Sequence, residues 1–307
     1  MNDVGELKGV TPIPAVKSNT LYPFRRCCRA LRELDYSHAL GIKRYTLDVS
    51  RPMTEDNLRL VHLLIRSIPE LTAGQLHWLQ RVVMVFGAEH HFAVSSSDLF
   101  DEATLQNFGD AMRVHHSFSA EPFSKDKFEY VLVQVLNMSG HKASLASKGN
   151  PGHDATIDNV KVSLKTQADK GIKENTLWIS KFMELGKGHW GDDPKDLKGL
   201  RDQFLTHMKN YERVLSLRAL ARGPRWKYEL VEIPKQVLTT AIKGELKMMT
   251  ESDQFPKPGY CYVRKPNGEP MFELYFDAGS ERKLQIKNLQ KSLCRVHAVW
   301  EFVIPSE

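Results

Sequence analysis

The sequence has few cysteines, and none of them is spaced for a structural zinc site. Its 307 residues include four, Cys27, Cys28, Cys261 and Cys294, with no C-x2-C pair among them. Structural zinc modules usually need such pairs, and adjacent cysteines such as Cys27 and Cys28 do not normally form a structural disulfide. We therefore expect free thiols in a reducing compartment.

Long apolar runs are also missing. The longest ones are short and interrupted by charges, far below the roughly 18 residues that a membrane-spanning helix needs. The N-terminal stretch MNDVGELKGVTPIPAV has acids and prolines where a secretory signal has basic and then apolar residues. The sequence therefore predicts a cytoplasmic protein with no membrane segment.

The positive charge is concentrated in the last third of the chain. The formal net charge is +6, and residues 195–307 alone contain 20 Lys and Arg against 14 Asp and Glu. The rest of the chain is therefore neutral overall. A basic surplus of this kind favours a polyanionic partner, with nucleic acid as the first candidate.

The hydrophobic pattern changes near residue 120. Before that point, apolar residues recur at helical spacing, and Thr54 and Thr72 stand where helix N-caps are expected. After it, short β-prone runs alternate with helical segments, including predicted helices at about 125–138 and 196–221. We predict an α/β protein with a helical N-terminal region over residues 1–118. A mixed β-sheet flanked by helices then follows, together with C-terminal strands, over residues 119–307.

Residues 154–167 predict a β-hairpin that presents candidate catalytic residues. The runs DATI and VKVSLKTQ are joined by Asp158 and Asn159, a turn-forming pair. Ser163 and Lys165 are two residues apart on the second strand and so share a face, roughly opposite Asp154. A carboxylate beside a lysine suits Mg2+ held by oxygen ligands. In that arrangement the lysine positions or deprotonates the attacking water and neutralises charge growing on a phosphate.

The helix, the hairpin and the Asp-x8-Ser-x-Lys string resemble the core of the PD-(D/E)xK nucleases, to which many type II restriction endonucleases belong. The family pattern is Pro-Asp, a variable gap, then acid-x-Lys on the next strand. Here His153 stands in place of the proline before Asp154, and Ser163 stands in place of the second acid before Lys165. The resemblance covers about residues 120–240 and implies a restriction-endonuclease-like core.

Ser163 leaves one metal ligand to be supplied from elsewhere. Some restriction enzymes resemble this arrangement and take the missing carboxylate from a Glu on the following helix. Glu174 and Glu184 are the candidates, and Glu184 is preferred because WISKFMELG has a helical pattern. The family often has a further acid on the preceding helix, where Glu129 stands. The resemblance implies Mg2+ held by Asp154, Glu184 and Glu129, and a catalytic set of Asp154, Lys165, Ser163 and Glu184.

Basic residues in two clusters predict contacts with DNA. Arginine can bind guanine edges in the major groove, and lysine contacts phosphate as a point charge. The predicted DNA-binding residues are Arg218, Arg222, Arg225, Lys227, Arg282 and Lys283.

The resemblance implies a Mg2+-dependent type II restriction endonuclease that cleaves double-stranded DNA at a specific sequence and works as a homodimer. One alternative is a repair or recombination nuclease with the same core. The other is a DNA-binding module that has lost catalysis, which Ser163 favours.

Overall fold

The computed structural model describes residues 54–94, 96–147, 152–186 and 189–306. Contacts divide the chain into two compact units, Met1–Glu70 and Leu71–Glu307. In the first unit, helix α1 (Glu55–Ser67) begins at Thr54, whose side chain accepts the N–H of Asn57, and a 3₁₀ turn follows it. The predicted free thiols of Cys27 and Cys28 lie outside the described residues.

The second unit begins with the predicted helices. Helix α2 (Ala73–Gly87) starts in a capping box made by Thr72 and Gln75, and α3 (Glu102–Phe118) and α4 (Lys125–Met138) follow. Over the described residues, helices α1, α2 and α3 confirm the helical character predicted before residue 120, although one short strand, which the sequence did not indicate, lies between α2 and α3. The predicted division of the chain after residue 118 stays a prediction.

Two β-sheets carry the rest of the unit. Their strands are β1 (His90–Val94), β2 (Ala143–Leu145), β3 (Ala155–Ile157), β4 (Val160–Gln167), β5 (Thr176–Glu184), β6 (Arg213–Ala221), β7 (Arg225–Glu232), β8 (Glu245–Met248), β9 (Gly259–Arg264), β10 (Pro270–Asp277), β11 (Lys283–Gln290) and β12 (Arg295–Val303). The seven-stranded sheet has the order β1-β12-β7-β6-β4-β3-β2, and the five-stranded sheet the order β5-β11-β10-β9-β8. All of these neighbours are antiparallel except the parallel pair β4 and β6. The α/β fold with a mixed sheet is therefore confirmed.

Central strands of the seven-stranded sheet, such as β6 and β7, are buried on both faces. On one face, Phe108 of α3 and Phe128 of α4 share a core with Leu164 of β4 and Trp300 of β12. The other face contributes to a second core, which also holds the five-stranded sheet and helix α5 (Asp196–His207). Because β4 packs against the first core on one face and pairs with the buried strand β6, it is a rigid platform for the side chains that project from its other face.

Several predicted elements are confirmed. The helix at 125–138, the hairpin of β3 and β4, and the C-terminal strands all occur as expected. No helix among the described residues is long and apolar enough to cross a membrane.

Two predicted helical segments are wrong. The segment WISKFMELG lies mostly in strand β5, and the helix predicted over 196–221 stops at His207, where a 3₁₀ turn leads into β6. The run RVLSLRALA is almost continuously buried, since β6 lies between β4 and β7 in the middle of the sheet. A strand covered on both faces has no alternation, so its sequence could not be distinguished from a buried helix. After β7, the short helix α6 (Lys235–Thr239) continues as a 3₁₀ turn.

Candidate active site

A tight hairpin places Asp154 against strand β4. Asp158 and Asn159, which join β3 to β4, both have positive φ angles of 49° and 67°, as a type I′ turn requires. Asp158 Oδ1 also accepts the backbone N–H of Lys142 at 2.8 Å. At the other end of the hairpin, the backbone N–H of Asp154 donates to Val162 O at 2.9 Å. The register of the hairpin therefore places Asp154 beside the Ser163–Lys165 stretch, as predicted from the turn.

The carboxylate of Asp154 is held on both oxygens. Oδ1 accepts from Lys125 Nζ at 2.8 Å. Oδ2 accepts from the backbone N–H of Leu164 at 2.6 Å and from the Ser163 hydroxyl at 3.2 Å, and Lys165 Nζ lies 3.9 Å away. Burial by itself raises the pKa of Asp154, but Lys165, Lys125 and the Leu164 N–H together lower the pKa below its ordinary value. Asp154 is thus a fixed, ionised carboxylate.

Ser163 orients this carboxylate. Its side chain is buried on β4, and its hydroxyl is a donor to Asp154. The sequence placed Ser163 in the catalytic set because it occupies the position of an acid, whereas the structure gives its hydroxyl a contact with the other acid.

Lys165 is a largely buried amine. Its Nζ lies 5.5 Å from the centroid of the Phe182 ring, and its side chain is only 12% exposed. Burial lowers the pKa of Lys165 to about 8, with Lys125 contributing, although Asp154 and Glu129 oppose the shift. A lysine with this pKa can exchange a proton near neutral pH, which an exposed lysine does poorly.

Lys125 joins Asp154 to Glu129. Its Nζ lies 2.8 Å from Asp154 Oδ1 and 3.1 Å from Glu129 Oε1, so one ammonium contacts both carboxylates. Burial raises the pKa of Glu129, and the Asp154 charge adds to that shift, whereas Lys125 lowers the pKa. Sequence reasoning missed Lys125 because a Lys–Glu pair four residues apart is an ordinary feature of exposed helices.

Glu184 lies at the open end of the same site. It ends strand β5, its side chain is 69% exposed, and its carboxylate pairs with Lys181 at 2.9 Å. The hydrogen bond from Lys181 lowers the pKa of Glu184. Glu174, the other candidate, lies before β5. Its carboxylate Oε1 is 3.5 Å from Lys227 Nζ. In the described ranges, no three or more His, Cys, Asp or Glu side chains are grouped to hold a metal ion. The assignment of Glu184 as a ligand stays a prediction.

Asp154, Ser163, Lys165, Lys125 and Glu184 all line one cavity of about 600 Å³. Strands β4 and β5 form its walls, and three lysines line it together with His207. Burial, assisted by Lys165, lowers the pKa of His207, while Asp154 opposes the shift. Its lining side chains include Lys125, His153, Asp154, Ser163, Lys165, Lys181, Phe182, Glu184 and His207. This cationic cleft with one firmly held carboxylate suits a phosphodiester substrate.

The structure places Arg218 in the protein interior. Its side chain is fully buried, its guanidinium pairs with Glu229, and it donates to Gln167 Oε1 at 2.9 Å. It also donates to the backbone carbonyls of Lys173 at 2.7 Å and Thr176 at 2.8 Å. This differs from the predicted contact with DNA, because the guanidinium makes its hydrogen bonds within the protein.

The other predicted DNA contacts are divided between two places. Arg222 donates to the carbonyls of Ala168 and Asp169, Arg225 pairs with Glu89 at 3.1 Å, and Lys227 pairs with Glu301 at 3.1 Å. Arg282 and Lys283 instead lie beside the active-site cavity, since Arg282 O accepts the N–H of Leu185 and Lys283 is opposite Glu184 in the β5–β11 pair. Of the six predicted DNA contacts, Arg282 and Lys283 are therefore the ones that lie near the site.

Most of the chain matches a known protein family and a known relative. The family model for SmaI, described as a type II site-specific deoxyribonuclease, matches residues 64–302. The chain is also 44% identical over 232 residues to the type II restriction enzyme SmaI of Serratia marcescens, a match that covers 75% of this chain and 90% of that enzyme. No solved structure matches the chain.

Proposed function

Since the chain belongs to the SmaI family of type II site-specific deoxyribonucleases, we propose that it hydrolyses double-stranded DNA, with Mg2+, in the cavity between β4 and β5. Membership of the family makes it an enzyme that cleaves DNA at specific sites. One observation carries the location of the chemistry. An ionised, fixed Asp154 lies 3.9 Å from Lys165, whose pKa is lowered to about 8, inside a cleft lined by further lysines.

The donor set at this position fits a hard divalent cation. Asp154 and Glu129 already share one positive charge, the Lys125 ammonium. Mg2+ is often bound by one or two carboxylates and completes its six positions with substrate phosphate oxygens and waters. We expect Asp154 and Glu129 to be its protein ligands. Glu184 is a third ligand only if its side chain leaves Lys181. When bound, the ion polarises the phosphate and lowers the pKa of its water.

The residues around Asp154 keep its carboxylate in one orientation. Ser163 and the Leu164 N–H both donate to Oδ2. Among the described residues, the hydrogen-bond donor to Oδ1 is the Lys125 ammonium, which can move away on its flexible stem. Oδ1 is therefore the oxygen that we expect to face a cation.

Lys165 is the residue that we expect to handle the proton. In its neutral form the amine accepts a proton from the attacking water, and the resulting ammonium offsets the negative charge that develops on the phosphate. Its burial favours the neutral form, and the adjacent Asp154 favours the charged form. The two influences keep both forms accessible.

The structure gives little support to a module that has lost catalysis. That alternative rested on Ser163 standing where the family has an acid. The Ser163 hydroxyl donates to Asp154 and so preserves the orientation of the carboxylate that remains. A site that keeps this carboxylate in place still has a residue that can serve catalysis. Because a duplex has two strands to cut, we also propose that two copies of the chain act together.

Cleavage of a plasmid with Mg2+ or with EDTA tests the proposal. We expect discrete fragments with Mg2+ and intact plasmid with EDTA. Sequencing the fragment ends then gives the recognised sequence. Discrete cleavage that persists in EDTA would contradict metal dependence, and a smear would contradict site-specific cleavage.

A further inference from the structure

A second cavity continues the cleft beyond the active site. It has a volume of about 230 Å³ and is lined by residues of the 167–178 segment and by Lys287 and Asn288. The active-site cavity is lined by β4 as far as Thr166 and by β5 from Ile179 onwards. The second cavity begins at the next residue on each strand, Gln167 and Trp178. The two cavities therefore follow one another along the same pair of strands.

The wall of the second cavity is cationic. Lys170, Lys173 and Lys287 line it, and Asp169 is the one acid among its described lining residues. Lys170 and Lys173 are exposed. Lys287 is half-buried, with its Nζ 3.7 Å from the centroid of the Tyr275 ring. Clustered lysines with one opposing carboxylate attract an anion, and because ammonium groups act as point charges they suit phosphate better than a base edge.

The loop that carries two of these lysines is held from within the protein. Arg218 donates to the carbonyls of Lys173 and Thr176, and Arg222 donates to Asp169 O at 2.9 Å. Gly171 has a φ of +77°, a backbone conformation that residues with a side chain rarely adopt. Two arginines that the sequence suggested as DNA contacts thus fix the loop that presents Lys170 and Lys173. A loop fixed before binding loses less conformational entropy when it binds.

Trp178 forms a second fixed wall. Its side chain is 41% exposed, yet its indole N–H donates to Gln285 Oε1 at 3.1 Å. The amide of Gln285 in turn donates to Asp277 Oδ2 at 2.8 Å. An indole that is already held in one orientation loses little conformational entropy on binding, so Trp178 gives the cationic cavity a fixed wall.

We propose that Lys170, Lys173, Trp178 and Lys287 form a flanking-phosphate site, which binds the backbone of the same duplex that is cut at Asp154. This inference rests on the proposed function, since the position of the scissile phosphate defines where the duplex enters. Lys165 and Gln167 are two residues apart on β4, about 7 Å, and the loop continues beyond them. The bound phosphates therefore lie roughly two or more base pairs from the cut.

Binding without metal separates this proposal from the chemistry. A labelled duplex that contains the mapped cleavage sequence is titrated in EDTA over a series of salt concentrations, with the wild type and the double variant Lys170→Ala, Lys173→Ala. Each lost phosphate contact should lower the slope of log affinity against log salt by about 0.9, so we expect a decrease of about 2 and roughly ten-fold weaker binding. The sequence at the cut ends should not change.

The matched control removes two other exposed lysines. Lys243 and Lys247 lie next to and within β8, the far edge of the five-stranded sheet, and they line neither cavity. Their double alanine variant makes the same change in charge and should bind like the wild type. The variant Lys170→Arg, Lys173→Arg keeps the charges and should retain the wild-type salt slope.

An unchanged slope and affinity in Lys170→Ala, Lys173→Ala would overturn the flanking-phosphate site. It would also be overturned if the arginine variant lost as much affinity as the alanine variant, because the loop would then matter for its structure and not for its charge. Both results are binding measurements made in EDTA, so neither depends on cleavage by the variants. Failure of the proposed function would appear instead as metal-independent cleavage, or as full activity after substitution of Asp154.

Discussion

The hydroxyl of Ser163 lies 3.2 Å from Oδ2 of Asp154, so the residue that replaces the second acid of the nuclease pattern supports the first one. The same oxygen also accepts the Leu164 N–H at 2.6 Å. Two donors from β4 thus fix the rotamer of Asp154. The loss of a carboxylate at position 163 is accompanied by a gain in the orientation of the carboxylate that remains.

Replacing Ser163 with alanine should reduce cleavage moderately. A hydrogen bond to a charged group contributes about 1.5 to 3 kcal/mol, but the Leu164 N–H still holds the carboxylate, so we expect about a ten-fold slower single-turnover rate. Ser180→Ala is the control, because Ser180 lines the same cavity and should cut at the wild-type rate. A Ser163→Ala enzyme as fast as the control would show that this hydroxyl does not matter.

The three candidate glutamates should differ in effect. Glu129 is partly buried beside Asp154, whereas Glu184 is exposed and paired with Lys181, and Glu174 lines neither cavity. We expect Glu129→Gln to slow cleavage at least a hundred-fold, Glu184→Gln to have a smaller effect and Glu174→Gln almost none. Single-turnover rates at saturating Mg2+ measure the order. A larger loss in Glu184→Gln than in Glu129→Gln would favour the ligand set predicted from sequence.

Removing Lys125 should strengthen metal binding in the absence of DNA. Its ammonium contacts both carboxylates, so a metal ion must displace it or accept its repulsion. We expect Lys125→Met to bind Mn2+, measured by paramagnetic resonance, several-fold more tightly than the wild type. Lys127→Met is the control, since Lys127 is exposed on the same helix. Weaker binding by Lys125→Met would contradict a site between Asp154 and Glu129.

The sequence indicated about half of this site, and the reason differs from residue to residue. Asp154, Ser163 and Lys165 were found because a turn-forming pair and the two-residue period of a strand fix which side chains meet. Lys125 could not be found, since its role depends on the packing of α4 against the hairpin. Arg218 looked like a surface cation because a strand buried on both faces has no polar alternation that would reveal its burial.

The same limit applied to the fold. Helix α4 and the β3–β4 hairpin were predictable, since a capping serine and a tight turn mark their ends locally. Strand β6 was taken for the end of a helix, because its identity depends on pairing with β4 and β7, far away in sequence.

His116 should make the protein less stable in acid. Its ring is buried, stacks 3.7 Å from Trp226 and contacts Tyr228 Oη at 2.9 Å. Burial lowers the pKa of His116 to about 4, whereas histidine in an unfolded chain titrates near 6.5. From pH 6.5 down to 4 the unfolded chain binds a proton that the folded protein does not, so the free energy of unfolding falls as pH falls. The full contribution is on the order of 3 kcal/mol.

Urea unfolding at pH 7 and pH 4.5 measures this contribution. The stability advantage of the wild type over His116→Asn should shrink at the lower pH. The variant His189→Asn should follow the wild type at both values, since His189 is exposed. An advantage that is equal at the two pH values would contradict a buried, neutral His116.

The most direct test of the central claim is single-turnover cleavage by Asp154→Asn and Lys165→Met, together with binding of the same duplex in EDTA. Asp202→Asn, an exposed acid on α5, is the control. We predict that both site variants lose at least a thousand-fold in cleavage rate. Asp154→Asn should bind the duplex at least as tightly as the wild type, since a negative charge near the phosphate has been removed. Cleavage near the wild-type rate by either variant would contradict the assignment of the active site to the β3–β4 hairpin.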